Sequence, residues 1–125
     1  MAYVFDRQTP IYLQLMRLFR RQVISGEWKI GQQIPTVRDL ALQYGVNPNT
    51  MQRALSELER EGLLSSNRRA GRFVSADQAQ IASVRCSLAG SQIADFIEAM
   101  RLLQFDWPTL QQLLARKWRE TDGID

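Results

Sequence analysis

The four residues Gly45-Val46-Asn47-Pro48 cut a stretch of helical periodicity into two short helices, and that break limits the folds open to the chain more than any other feature. Upstream, the Thr36 hydroxyl can accept from the amides of a first turn while Asp39, three residues on, reaches back, as in a capping box. Val37, Leu40, Ala41 and Tyr44 follow at helical spacing. Gly45 supplies the left-handed residue that ends the helix without a Cβ clash, and apolar Val46 suits the role of pinning the turn. Asn47 can cap a second helix whose first position suits Pro48, since a missing N–H costs nothing there.

In this second helix Met51, Ala54, Leu55 and Leu58 form one apolar stripe, which leaves Asn49, Gln52, Arg53, Ser56 and Arg60 on or beside the opposite face. Glu57, Glu59 and Glu61 fall in its second half, so its first turns can approach a polyanion without repulsion. Gly62 closes the helix, and Leu63-Leu64-Ser65-Ser66 and Arg72-Phe73-Val74-Ser75 read as two strands around the loop at 67–71. Between Glu61 and Asp77 stand three arginines, Arg68, Arg69 and Arg72, and no carboxylate, the charge pattern wanted beside a groove or along phosphates. The expected fold class is mainly α with a small β-wing. Residues 1–75 form a winged helix-turn-helix DNA-binding domain, and 76–125 a short two-helix dimerisation region.

The segments I-P-T-V-R-D-L-A, G-V-N-P-N-T-M-Q-R-A-L, E-L-E-R-E-G-L-L and G-R-F-V resemble the DNA-binding domain of GntR-family transcriptional regulators. The short helical remainder is similar to that of the YtrA-like subfamily. This resemblance covers about residues 8 to 75 in its motifs. It implies DNA contacts at Arg38 of the first helix, at Pro48, Asn49, Thr50, Gln52 and Arg53 of the recognition helix, and at residues 69–71 of the wing tip. Asn47, Arg68 and Arg72 complete the expected DNA-binding set with Arg69 and Gly71. The family wing usually reads G-K-G-T-F-V, whereas this chain has arginine in place of the first glycine and of the threonine. That departure favours side-chain contacts over a close backbone approach at the wing.

Composition narrows the function further. The chain has no histidine and a single cysteine, Cys86, so an intramolecular disulfide is excluded and the usual zinc sites and imidazole acid–base chemistry have no residues to use. An enzyme is not expected, nor are a metal or a cofactor. No apolar run approaches the roughly 20 residues of a membrane helix and no signal peptide opens the chain, so the expectation is a cytoplasmic protein with no membrane partner. The charge of +3 is unevenly spread: residues 1–75 hold 11 Lys+Arg against 6 Asp+Glu, a net +5, and residues 76–125 hold 5 against 7, a net −2. A basic front half and an acidic back half fit a DNA reader with an appendage that does not touch DNA.

Pro10 to Ser25 reads as a scaffold helix with Ile11, Leu15, Leu18 and Phe19 facing inward, and Arg17, Arg20 and Arg21 on a solvated face in preference to phosphate contact. A short strand near Gln33-Ile34 is expected to complete a sheet with the wing, with Trp28 packed there as core. In the tail, Ile81, Val84, Leu88, Ile93, Phe96, Ile97, Met100 and Leu103 line one long or Gly90-kinked helix, and Asp106 caps a second helix carrying Trp107, Leu110, Leu113, Leu114 and Trp118. Two helices cannot hide that much apolar surface, which predicts a homodimer through Leu88, Ile93, Phe96, Ile97, Met100, Leu103, Trp107, Leu110, Leu114 and Trp118 in preference to a monomer folded back on itself. A pocket for a small-molecule effector between Trp107 and Trp118 is the minority reading, and Cys86 is expected to be an inert buried thiol.

The function expected is a sequence-specific DNA-binding regulator, a repressor by occupancy, that reads an inverted-repeat operator as a homodimer. Its half-sites would lie roughly 34 Å apart or a multiple of that. The alternatives are a winged-helix protein-interaction module, which leaves the basic wing unexplained, a non-specific nucleic-acid-binding module, and an RNA binder, which would present stacking aromatics.

Overall fold

A computed structural model describes residues 3–122, and the outermost residues of the two expected domains, 1–2 and 123–125, lie outside the described range. The chain forms two compact units, Met1–Arg85 and Cys86–Asp125.

The first unit is built from α1 (Ile11–Ile24), α2 (Val37–Tyr44), α3 (Pro48–Arg60) and the hairpin β1 (Leu64–Asn67) and β2 (Gly71–Val74). Local chemistry sets the helix ends. The Thr36 hydroxyl accepts from the Asp39 amide at 3.1 Å, which is one half of a capping box, and Gly45 closes α2 in the left-handed region at φ 67°. Asn47 Oδ1 accepts from the Asn49 amide at 2.8 Å, starting α3 with Pro48 in its first turn. Val46 N–H donates to the Ala41 carbonyl at 3.0 Å while its side chain packs on the core, so the turn between α2 and α3 is fixed from both sides.

The apolar stripes of the three helices meet in one core whose fully buried members include Leu15, Phe19, Leu40, Met51, Leu55, Leu58, Leu63 and Val74. Burying each such side chain contributes about 1.5–3 kcal/mol. Ile11 departs from the expected inward row: it is 40% exposed at the first position of α1, and Leu18 is half-buried. Trp28 stacks on Phe19 with ring centroids 5.1 Å apart and remains half-buried at the edge of the core.

The sheet has two strands, paired antiparallel in the register Leu64↔Val74 to Asn67↔Gly71. The expected third strand is reduced to a single bridge between Gln33 and Phe73, flanked by bonds from Ile34 N–H to the Arg72 carbonyl and from Val74 N–H to the Gln32 carbonyl. Thr36 ends the extended run by starting α2, which leaves no length for a strand.

A long helix α4 (Gln78–Leu102) begins in this first unit. Ile81 is buried and Val84 packs against the first unit's core, so these two belong there and not to the apolar stripe of the tail. Gln80 Nε2 donates to the Glu61 carbonyl at 2.7 Å, satisfying one of the open carbonyls at the C-terminal end of α3.

The second unit contains the rest of α4 and α5 (Trp107–Asp122). The Asp106 carboxylate accepts from the Thr109 amide at 2.9 Å and caps α5. The turn before it places Gln104 at φ 65°, a left-handed conformation in a residue with a Cβ. Leu110 is buried and Leu88, Met100, Phe105 and Leu113 are half-buried, while Ile93, Phe96, Ile97, Leu103, Trp107, Leu114 and Trp118 are exposed. Helix α4 runs through Gly90 without interruption. Cys86 is exposed, which corrects the expectation of a buried thiol: among the described residues, none covers its side of α4. Among the described residues, no helix is long and apolar enough to cross a membrane.

Candidate nucleic-acid interface

Helix α3 presents the central part of the candidate surface. Its buried stripe of Met51, Ala54, Leu55 and Leu58 fixes its rotation, so Asn49, Gln52 and Arg53 stand exposed on its first two turns, with Thr50 half-buried beside them. No acid lies in its first turn. Asn47 and Pro48 are exposed at its start, with the Asn47 carboxamide oxygen occupied by the cap. Arg38 is exposed on the first turn of α2.

The wing adds Arg68 and Arg69, both exposed at the hairpin tip. Asn67 shapes that tip: its side chain accepts from the Arg69 amide at 2.9 Å and its carbonyl from the Ala70 amide at 3.2 Å. Gly71 holds φ 102°, and a Cβ there would meet Gln33 Nε2 at 3.2 Å. Gln33 Nε2 also donates to the Ala70 carbonyl, tying the wing to the segment before α2. Between the two runs a groove of about 530 Å³ lined by Gln33, Thr36, Ser66, Asn67, Arg68 and Gly71.

Arg38, Arg53, Arg68 and Arg69 form no ion pair among the described residues, so their charge is available to an outside anion. Three other arginines are engaged internally, among them Arg60 of α3, exposed and 3.6 Å from Glu57 Oε1. Arg72, expected among the DNA contacts, places Nε 2.5 Å from Glu59 Oε1 and is 16% exposed, which makes it a strut between wing and α3. Arg20, expected on a solvated face, is paired through Nε and Nη2 with both carboxylate oxygens of Glu61 at 2.9 and 2.6 Å. Arg17 and Arg21 are exposed.

Two partnerships escaped the sequence reading. Glu59 also accepts from Ser66 at 3.3 Å, while Ser56 receives both Gln52 Nε2 at 3.1 Å and Arg72 Nη2 at 3.5 Å. The outer face of α3 is thereby linked to the wing by side-chain hydrogen bonds. The Arg53 guanidinium lies over the Tyr12 ring, 3.7 Å from its centroid. Glu59 carried a signal, an acid followed by an unopposed arginine cluster, whereas nothing in the spacing of Tyr12 and Arg53 points to a contact.

Helix, tight turn, outward-facing helix and basic hairpin together define a winged helix-turn-helix protein. The family model for bacterial regulatory proteins of the gntR family matches residues 11–74, and the chain belongs to that family. Its relatives include the HTH-type transcriptional repressor YtrA of Bacillus subtilis, 40% identical over 67 residues that span 54% of this chain and 52% of YtrA. A GntR family transcriptional regulator from Listeria monocytogenes has a similar structure, with TM-score 0.83 at 28% identity over 90% of this chain and 98% of that one. The structure of AraR(DBD) in complex with operator ORX1 matches with TM-score 0.54 at 30% identity, over 58% of this chain and 93% of that chain.

Proposed function

We propose that the chain is a cytoplasmic, sequence-specific DNA-binding transcriptional repressor that acts as a homodimer on an inverted repeat. The observation that carries the reading is the exposed, acid-free first part of α3, which bears Arg53 and lies beside Arg38, Arg68 and Arg69, four arginines in no ion pair among the described residues. Steric fit to the major groove and charge complementarity to phosphate coincide there. Likeness to the operator-bound AraR domain and to the repressor YtrA supports it.

Within this reading Arg53 and Arg38 donate to guanine, Gln52 and Asn49 read adenine, and Thr50 packs on thymine or binds phosphate. Asn47 and Pro48 set the start of the recognition helix, and Arg68, Arg69 and Gly71 follow the backbone beside it. Arg72 acts indirectly, through the position of the wing. DNA binding is assigned to residues 1–75 and dimerisation to 76–125, with the first turns of α4 completing the core of the first unit. The exposed Ile93, Phe96, Ile97, Leu103, Trp107, Leu114 and Trp118 give the second copy its surface, with Leu88, Met100 and Leu110 beneath. This reading calls for no catalysis and no cofactor, and the sequence does not require a small-molecule effector.

Fluorescence anisotropy across a salt series tests this, with the DNA upstream of the protein's own coding sequence and a scrambled duplex of equal length. Binding to the native duplex that survives salt abolishing scrambled binding is the expected result. Equal, steeply salt-sensitive binding to both, repeated on duplexes enriched by the protein from a random library, would reduce the surface to a non-specific one. No DNA binding at all would favour a protein-interaction module.

A further inference from the structure

The Tyr12 ring on α1 is half-buried against the core, and the exposed Arg53 of α3 lays its guanidinium carbon 3.7 Å from the ring centroid. We propose that Tyr12 is a positioning residue for sequence reading: it holds Arg53 extended for guanine before DNA arrives, without touching a base itself. This rests on the assignment of Arg53 as a base reader.

The chemistry of stacking carries the inference. A guanidinium seated over an aromatic face uses its π surface for the contact, while its N–H donors radiate in the guanidinium plane and stay free. Bidentate donation to guanine O6 and N7 uses that same plane, so the stack and the base contact are compatible in one rotamer. An ion pair would have consumed the donors instead, as Glu59 does for Arg72 and Glu61 for Arg20. Arg53 forms no such pair among the described residues. A free arginine side chain must give up rotamer entropy on meeting its base, and the ring removes part of that loss in advance. Tyr12 is suited to the task because its backbone belongs to α1, whose Leu15 and Phe19 are fully buried, so the ring is presented from a rigid element.

The experiment is a double-mutant cycle on the tightest duplex that the full chain enriches from a random library, with binding to a scrambled duplex and thermal unfolding measured alongside. Tyr12→Leu keeps apolar bulk and removes the π face; Tyr12→Phe keeps the face and removes the hydroxyl. The expected result is a several-fold loss of affinity for the selected duplex in Tyr12→Leu, with weaker preference at the guanine that Arg53 reads. Scrambled binding should be unchanged, Tyr12→Phe should bind as well as the parent, and Tyr12→Leu should have no further effect once Arg53→Ala is present. Equal losses from Tyr12→Leu with and without Arg53→Ala would overturn the proposal, as would Tyr12→Phe failing like Tyr12→Leu, which would make the hydroxyl a phosphate contact. If Arg53→Ala weakens binding and Tyr12→Leu does not, the positioning role falls while the reading of Arg53 stands. If Arg53→Ala itself changes nothing, both fall.

Discussion

Arg72 Nε stands 2.5 Å from Glu59 Oε1, so the hairpin is anchored to the last turns of α3 by an ion pair that solvent reaches only in part. The pair spans 13 residues and is reinforced by Ser66 on the same carboxylate and Ser56 on the same guanidinium. Its consequence is geometric: Arg68 and Arg69 at the wing tip are held at a set height beside the outer face of α3.

Removing one partner of this pair strands the other in a half-buried site. Arg72→Ala is expected to cost about 1–3 kcal/mol of stability, between the worth of a surface pair and the cost of breaking a buried one. The wing amides of β1 and β2 should exchange hydrogen faster than those of α3. Denaturant unfolding together with hydrogen exchange checks this; an unchanged midpoint with unchanged wing protection would show that the backbone pairing alone sets the wing.

How much of this was legible depends on the distance between partners along the chain. Thr36 and Asp39, or Asn47 and Asn49, lie within three residues of each other, so their caps could be read directly, as could the turn at Gly45. Glu61 lies 41 residues from Arg20 and Glu59 lies 13 from Arg72, and only folding decides which acid takes which arginine. The same holds for Ile81, which shares the apolar periodicity of the tail yet is buried in the core of the first unit. Gln33 shows a different limit: its neighbourhood does pair with the wing, but the start of α2 reduces the expected strand to one bridge.

Base reading and phosphate binding separate by their response to salt. Arg53→Ala is expected to cost about 1–3 kcal/mol on the selected duplex and to relax preference at one base pair. Arg69→Ala should instead weaken all duplexes alike and lower the slope of log affinity against log salt by about one phosphate contact. Titrations of both variants at several salt concentrations decide it; a sequence-selective loss from Arg69→Ala would move Arg69 into the reading set.

Trp107 at 63% and Trp118 at 73% exposure, with Ile93 at 55%, are far more apolar area than a lone helical pair leaves in water at no cost. Placing a charge in the centre of that face, as in Phe96→Glu, is expected to convert a dimer to monomers while thermal unfolding of the first unit is retained. Sedimentation velocity over a concentration series measures the change. A parent chain that sediments as a monomer at every concentration would remove the dimer, and with it the inverted repeat.

The start of α5 should respond to acid in a direction set by Asp106. Hydrogen bonds from the Thr109 backbone and side chain favour the charged form of this carboxylate and hold it below its ordinary value of 3.8. A group whose folded-state pKa is depressed contributes stability that is present above the unfolded value and lost as pH falls through the folded one. The cap is therefore complete at neutral pH, starts to weaken below pH 3.8, and is gone only once the folded carboxyl itself is protonated. Asp106→Asn retains a cap acceptor without the charge, so its α5 should keep the same protection as the solution is acidified, whereas the parent should lose protection at the Thr109 amide as pH falls through the lowered folded-state value. NMR-detected hydrogen exchange at Thr109 reads this difference, with rates corrected for the intrinsic effect of pH. Equal pH dependence in parent and Asp106→Asn would assign the acid response to other carboxylates.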